Sequence, residues 1–517
     1  RVAGAGPPGG TIAMPQRPHT RHWGRALAVA LAGLGLVGGA ELGASVAAPP
    51  APRPVPEYFW SLKGGNVRQD GATPQIAPRN FSYTRSWSAG NPYHRHAGLM
   101  VGTPLIDDKM NVYVHDSAGF ITKKTHSGAT VWVYDCQTIS NLQPAIWNGT
   151  LIGSADHALF ALDMETGKQL WRSQVFSFLP ADGSSIFVHD GVGITGWGDH
   201  PSAIAKIGAF SVFTGERLWS FQAQGPLYNL MPTVLEEKQI VAFSCQYGSV
   251  YGLNFKDGSE VWRNTKMFSP HTFSTANGML GINGIFYAAH NLKSGWDFQE
   301  ATGCLHAVNA TDGTTFWFKT WPTGAHATPG VGRLGPGKGL SVVIGLGDNT
   351  GIVPAGMLPR WVPHPAWWNR LSLALGDWSR FLWGTRRWTG QTVEVRALDA
   401  ETGKEQWRFE TPTWWRPTCA GDEERFDSVT RGIRSRAREI CTCDSWSSPT
   451  IGGDGTVYIG NAYGVLYALK DENGDGVLSG EAEVSSVDLG ASILMPPSIA
   501  PGMLVAVSCD EVAVYRT

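Results

Sequence analysis

A small residue, a glycine six positions on and a tryptophan four positions further recur through this chain of 517 residues. The triplet appears as Thr122/Gly128/Trp132, Ala161/Gly167/Trp171, Ala209/Gly215/Trp219, Gly252/Gly258/Trp262, Ala307/Gly313/Trp317 and Ala397/Gly403/Trp407. A degenerate seventh copy has Ala468 and Gly474, with Leu478 expected in the tryptophan slot. Successive tryptophans lie 39, 48, 43, 55 and 90 residues apart, the last interval being widened by an insert. A repeat of this length is one supersecondary unit that cannot cover its own apolar faces, so copies must stack. The fullest copies read Phe-Ala-Leu-Asp-Met-Glu-Thr-Gly-Lys-Gln-Leu-Trp at 160–171 and Arg-Ala-Leu-Asp-Ala-Glu-Thr-Gly-Lys-Glu-Gln-Trp at 396–407.

Each copy spells four short strands. Thr103-Pro104, Met231-Pro232 and Ser448-Pro449 open a first strand after a loop; an alternating second strand and an apolar third strand follow. The Asp-x-x-Thr-Gly turn lets its glycine take positive φ and leads into a fourth strand that carries the tryptophan. Four strands repeated around a ring make a β-propeller. The composition agrees: 64 Gly and 32 Pro provide turns, and 22 Trp, 13 Tyr and 21 Phe provide bulk to bury between them. Residues 497–516 supply three further strands without a fourth, and an N-terminal strand within 56–71, carrying Trp60, is expected to join them and close the ring. Eight blades are expected, with seven as the alternative. Trp60, Trp132, Trp171, Trp219, Trp262, Trp317 and Trp407 are read as structural anchors between blades.

These residues resemble the PQQ-like repeat, the propeller repeat of quinoprotein dehydrogenases and of the bacterial outer-membrane assembly propeller. Ala-Leu-Asp-x-x-Thr-Gly-Lys-x-x-Trp is its most specific motif, and Trp60 with Gly64-Gly65-Asn66 and Gly71 looks like the family's N-terminal entry strand. In the dehydrogenases the resemblance implies a pyrroloquinoline quinone (PQQ) site: two adjacent cysteines in a disulfide over the cofactor, a tryptophan beneath it, and an aspartate beside Glu/Asn/Asp-bound Ca²⁺. Here the seven cysteines include no adjacent pair; the nearest approach is Cys441-Thr442-Cys443. No catalytic residue and no cofactor-binding residue is assigned. A non-catalytic scaffold that binds proteins is therefore the preferred reading. A PQQ-dependent oxidoreductase is the first alternative, and a calcium-stiffened extracellular carbohydrate-binding or adhesion propeller is the second.

The remaining features lie outside the repeat. Arg17, Arg21 and Arg25 precede an uncharged run at 26–40 and small residues at 45–48, the pattern of a secretory signal or, if uncleaved, a membrane anchor over 1–48. A Pro-rich linker at 49–55 leads to the propeller at 56–517. The expected compartment is extracellular or lumenal, or periplasmic in a bacterium. Sequons at Asn80, Asn148 and Asn309 fit a eukaryotic secretory route. Asp471, Asn473, Asp475, Val477 and Ser479 match the first part of a Ca²⁺ loop, although Ala482 stands where a bidentate Glu belongs.

Two inserts interrupt the ring, at 352–391 and 413–444. In the first, Trp367, Leu371, Trp378 and Leu382 fall on one helical stripe among arginines, which suits a partner groove or membrane surface. Cys419 is a candidate partner for Cys441 or Cys443, while Cys245 and Cys509 are expected as inert core thiols. A net charge of −2 leaves no basic field to recruit nucleic acid.

Overall fold

A computed structural model describes residues 57–90, 102–138, 142–180, 183–200, 203–292, 302–347, 392–414, 419–424, 441 and 444–517. Among them, 32 strands pair into eight antiparallel four-stranded sheets, the eight blades of a propeller. In seven blades the strands pair in chain order. The first strands of neighbouring blades abut and line the axis; among them, Leu105–Ile106 of blade one meets Ser498–Ala500 of blade eight. Those first strands are buried, whereas the fourth strands alternate exposed and covered residues at the rim.

Blade eight closes the ring. Its order runs Arg85–Gly90, Glu511–Arg516, Met503–Val507, Ser498–Ala500, so a strand from near the N-terminus completes a sheet built from the C-terminus. The closing strand is thus Arg85–Gly90 and not the segment carrying Trp60. The Gly64-Gly65 turn explains the difference: Gly65 donates to Leu62 O and accepts from Ser61 N, reversing the chain before a strand can extend. Trp87, not Trp60, occupies the anchor position.

The segment that holds Trp60 follows the axis instead. Its backbone exchanges hydrogen bonds with Ile106 through Trp60 and accepts from Ile146 at Ser61, Val234 at Val67, Leu280 at Arg68, Val331 at Asp70 and Ile451 at Gly71. Gly502 then donates to Ile76 O. Lys63 Nζ donates to Gly183 O at 2.8 Å. In some seventeen residues, 60–76, this strap touches all eight blades in order. Trp60 is fully buried within it, packed under Gly65.

Blade-to-blade contact at the rim follows one rule. Six fourth-strand indoles cross to the turn of the next blade and donate Nε1–H to a backbone carbonyl there, Trp407 of blade six being outside this set. Trp87 reaches His126 O, Trp132 Met164 O, Trp171 Val212 O, Trp219 Phe255 O, Trp262 Ala310 O and Trp317 Ala400 O, at 2.8–3.1 Å. The indole lies flat on the turn glycine. A Cβ on Gly167, whose φ is +70°, would stand 2.7 Å from Trp132 Cδ2, so glycine is required there for both backbone and space. Asp163 holds the same turn by accepting from Thr166 N and Oγ1 at 2.7 and 2.6 Å. Those bonds hold its carboxyl below the usual range.

Blade seven departs from the rule. Its fourth strand is Val484–Asp488, and Ser485 pairs with Ala468 in the slot expected for Leu478. The turn before it is expanded, which displaces Leu478 from the strand and buries it beside Trp407.

Candidate functional site

The loops that lead into the first strands converge at one end of the axis. Gly183, Asn229, Thr275, His326 and Asp444 precede the inner strands of blades three to seven by a few residues each. Their polar groups form one chain. Gly183 N donates to Asn229 Oδ1 at 2.8 Å, and Asn229 Nδ2 donates to Thr275 O at 2.6 Å. Thr275 Oγ1 lies 2.8 Å from His326 Nδ1 and donates to Asp444 Oδ1 at 3.2 Å. Asn291 Oδ1 accepts from Ala325 N at 2.7 Å, holding the loop that presents His326. Lys63 of the axial strap completes the group through Gly183 O. Blades five and seven are not neighbours, so the Thr275–Asp444 bond can form only close to the axis. Met495 of blade eight, whose Cε lies near Gly183 of blade three, closes the same end.

Burial sets the electrostatics. It pushes the Asp444 carboxyl up to about 7, against the bond from Thr275 and the charge of Lys63. It pushes His326 down to about 4. His326 Nδ1 also lies 3.3 Å from Asn291 Nδ2, Thr275 Oγ1 donates to Asp444, and His326 Nε2 is buried with no hydrogen-bond partner. The result is a His–Thr–Asp relay around a carboxyl that titrates near neutrality.

The fit to a quinone is poor among the described residues. PQQ is a tricarboxylate, and the cluster offers one cation, Lys63. No group of three His, Cys, Asp or Glu side chains is placed to hold a metal among the described residues. Cys136, Cys245 and Cys304 are separate buried thiols. Cys441 is bonded to Cys509 with Cα atoms 6.4 Å apart, and Cys419 is also disulfide-bonded. Cys509 is therefore a bridge half and not the free core thiol expected.

The other sequence candidates lie elsewhere. The oxygens of Asp471, Asn473 and Asp475 accept from Gly474 N, Asp475 N and Val477 N. Glu483 accepts from Asn473 N and Ser479 N. Asn148 is exposed at a hairpin tip, Asn80 is exposed and caps a short helix, and Asn309 is half-buried at a strand end. Trp367, Leu371, Trp378 and Leu382 fall outside the described residues. No helix among the described residues is long and apolar enough to cross a membrane. The axial cluster itself was missed from sequence because its members are single polar residues spread from Lys63 to Asp444. Their shared place just ahead of each first strand was the available signal.

The family model described as outer membrane protein assembly factor BamB matches residues 121–277 and 391–516, more than half of the chain. Among solved structures, BamB from Moraxella catarrhalis superposes with a TM-score of 0.53 at 13% identity, covering 84% of this chain and 99% of that one. The quinohemoprotein alcohol dehydrogenase of Comamonas testosteroni gives 0.57 at 13% identity, with 89% and 80% covered. A europium-containing methanol dehydrogenase gives 0.57 at 12% identity, with 89% and 98% covered. The lanthanide-dependent methanol dehydrogenase of Methylacidiphilum fumariolicum (strain SolV) is 29% identical over 177 residues, covering 29% of this chain. That match spans 28% of the methanol dehydrogenase's own length.

Proposed function

The chain belongs to the PQQ-like repeat propeller family described by outer membrane protein assembly factor BamB, and we propose that it is a non-catalytic scaffold that binds other proteins. The axial cluster carries this reading: its polar groups are satisfied largely by one another, with a single cation and no adjacent-cysteine pair for a quinone. The Cys441–Cys509 bridge supports an oxidising compartment, periplasmic, lumenal or extracellular. The test is dye-linked turnover of primary alcohols after incubation with PQQ and either Ca²⁺ or a lanthanide, beside proximity labelling in the native compartment. A scaffold gives no dye reduction and a reproducible set of labelled proteins. Quinone-dependent dye reduction would overturn the reading.

One observation favours the oxidoreductase alternative. Asp444 is a buried carboxyl pushed up to about 7, the range suited to a general base at neutral pH. Under that alternative, Asp444→Asn abolishes quinone-dependent turnover while leaving the melting temperature intact.

A further inference from the structure

The rim carries a second pattern. The residue just before each fourth-strand tryptophan is apolar and exposed in five consecutive blades: Val131, Leu170, Leu218, Val261 and Phe316. These strands end their sheets, so among the described residues each offers an outer edge with no further strand. Such edges pair with other chains unless they are blunted by charge, proline or cover. Most are blunted here. Arg172, Arg217 with Ser220, and Glu260 with Arg263 put exposed polar or charged residues on the strands of blades two, three and four.

Blade six shows what such an edge does when it is covered. Its fourth strand, Glu405–Glu410, receives the expanded turn of blade seven as a parallel bridge between Arg408 and Val477. Arg408 N donates to Gly476 O, and Leu478 N donates to Arg408 O, both at 3.1 Å. The covering segment is extended, glycine-flanked and apolar at its centre, with Asp475 just before it. Among the described residues, this is the one rim strand with such a bridge.

Blade five presents the edge with two large exposed aromatic side chains. Thr315–Thr320 reads Thr-Phe-Trp-Phe-Lys-Thr, with strict alternation of half-covered and exposed residues. Trp317 faces blade six, so Phe316 and Phe318 share the opposite face; they are 54% and 48% exposed. Lys266 Nζ stands 5.0 Å over the Phe318 ring, and Lys319 follows on the Trp317 face, so one cation lies on each face near the strand's C-terminal end. At the other end the acidic Asp312 is taken up by Thr314 N and Oγ1.

We propose that the outer edge of Thr315–Thr320 takes an extended segment of a partner polypeptide, added in parallel as Gly476–Leu478 is added to blade six, with β-branched residues over Phe316 and Phe318 and an acidic C-terminal end at Lys266 and Lys319. Main-chain bonds supply affinity in strand addition, and alternate side chains supply selectivity. The inference rests on the scaffold reading and specifies where such a scaffold takes hold.

The probe is a fluorescein-labelled octapeptide, Gly-Val-Thr-Val-Thr-Val-Asp-Asp, followed by anisotropy and hydrogen exchange on the full chain. The expected result is saturable binding that slows amide exchange at 315–320. Phe316→Asp with Phe318→Asp weakens it by about tenfold or more, as truncated anchors do. Lys266→Glu with Lys319→Glu, which leaves both rings in place, weakens it too, and Leu170→Asp in blade two leaves it unchanged. Absence of binding at millimolar peptide overturns the proposal, as does protection confined to other strands. A dimer of the protein that dissociates on Phe316→Asp with Phe318→Asp makes a second copy the occupant and overturns it as well. Each of these failures leaves the scaffold reading standing; quinone-dependent turnover ends that reading without touching the peptide result.

Discussion

Trp171 joins blade two to blade three through one hydrogen bond, to Val212 O, and one flat contact, on Gly215. Trp407 is buried beside Leu478 without a turn glycine beneath it. Large-to-small changes at such sites cost about 3–5 kcal/mol. Trp171→Ala and Trp407→Ala should therefore each lower unfolding stability by that order, read from urea midpoints; a loss under about 1 kcal/mol at both would remove them as inter-blade anchors. Buried histidines set the response to acid. His290, His306 and His326 are pushed down to about 3, 4 and 4 by burial, aided by Lys266 at His306 and by His306 at His290. Each takes up a proton on unfolding, so stability is lost as pH falls from about 6.5 toward these values. Asp444 acts oppositely: raised to about 7, it holds an extra proton in the folded state, and its contribution is lost as pH rises through 7. Asp70, also raised by burial, acts in the same sense as Asp444; the three histidines outnumber the two carboxyls, so stability should fall by about 1–3 kcal/mol per pH unit between roughly pH 6 and 4.5. Urea midpoints of wild type and His290→Leu across that window check it; an unchanged slope in the variant would contradict the assignment.

At the scale of elements, repeat and turn were legible in the sequence because their physics is local. Gly167 needs positive φ and Asp163 accepts from Thr166, all within five residues. The slot of Leu478 was not legible. The 471–483 expansion leaves the spacing of glycine and apolar residue intact while the strand begins only at Val484, and its contact with Arg408 is a long-range backbone pairing that no side-chain pattern records. Trp60 misleads for a similar reason: a tryptophan beside glycines looks like a strand end, yet its bonds go to the axis. The strap yields the third prediction. Deleting residues 57–76 removes backbone partners from Ile106, Ile146, Val234, Leu280, Val331 and Ile451, while Arg85–Gly90 can still close blade eight. Unsatisfied buried donors each cost about 1–3 kcal/mol, so the deletant should be insoluble or melt far below wild type. A deletant with unchanged melting temperature would show that the strap is an accessory.

At the scale of the whole molecule, eight blades follow from counting copies, but closure and the axial site do not. Ring closure pairs Ser88 with Ala513, and the axial relay joins Thr275 to Asp444, contacts between residues far apart in the sequence. Only the assembled ring brings single loop residues from five blades to one point, where burial gives Asp444 its raised pKa. The resemblance to quinoprotein dehydrogenases raises a quinone at such a place, and the scaffold reading proposed above holds that none binds there. Native mass spectrometry of the protein with a tenfold excess of PQQ, with Ca²⁺ and separately with a lanthanide, tests this most directly. The predicted spectrum keeps the mass of the protein alone, and mixing leaves the quinone absorbance unshifted. A one-to-one quinone complex that is lost in Asp444→Asn would contradict it.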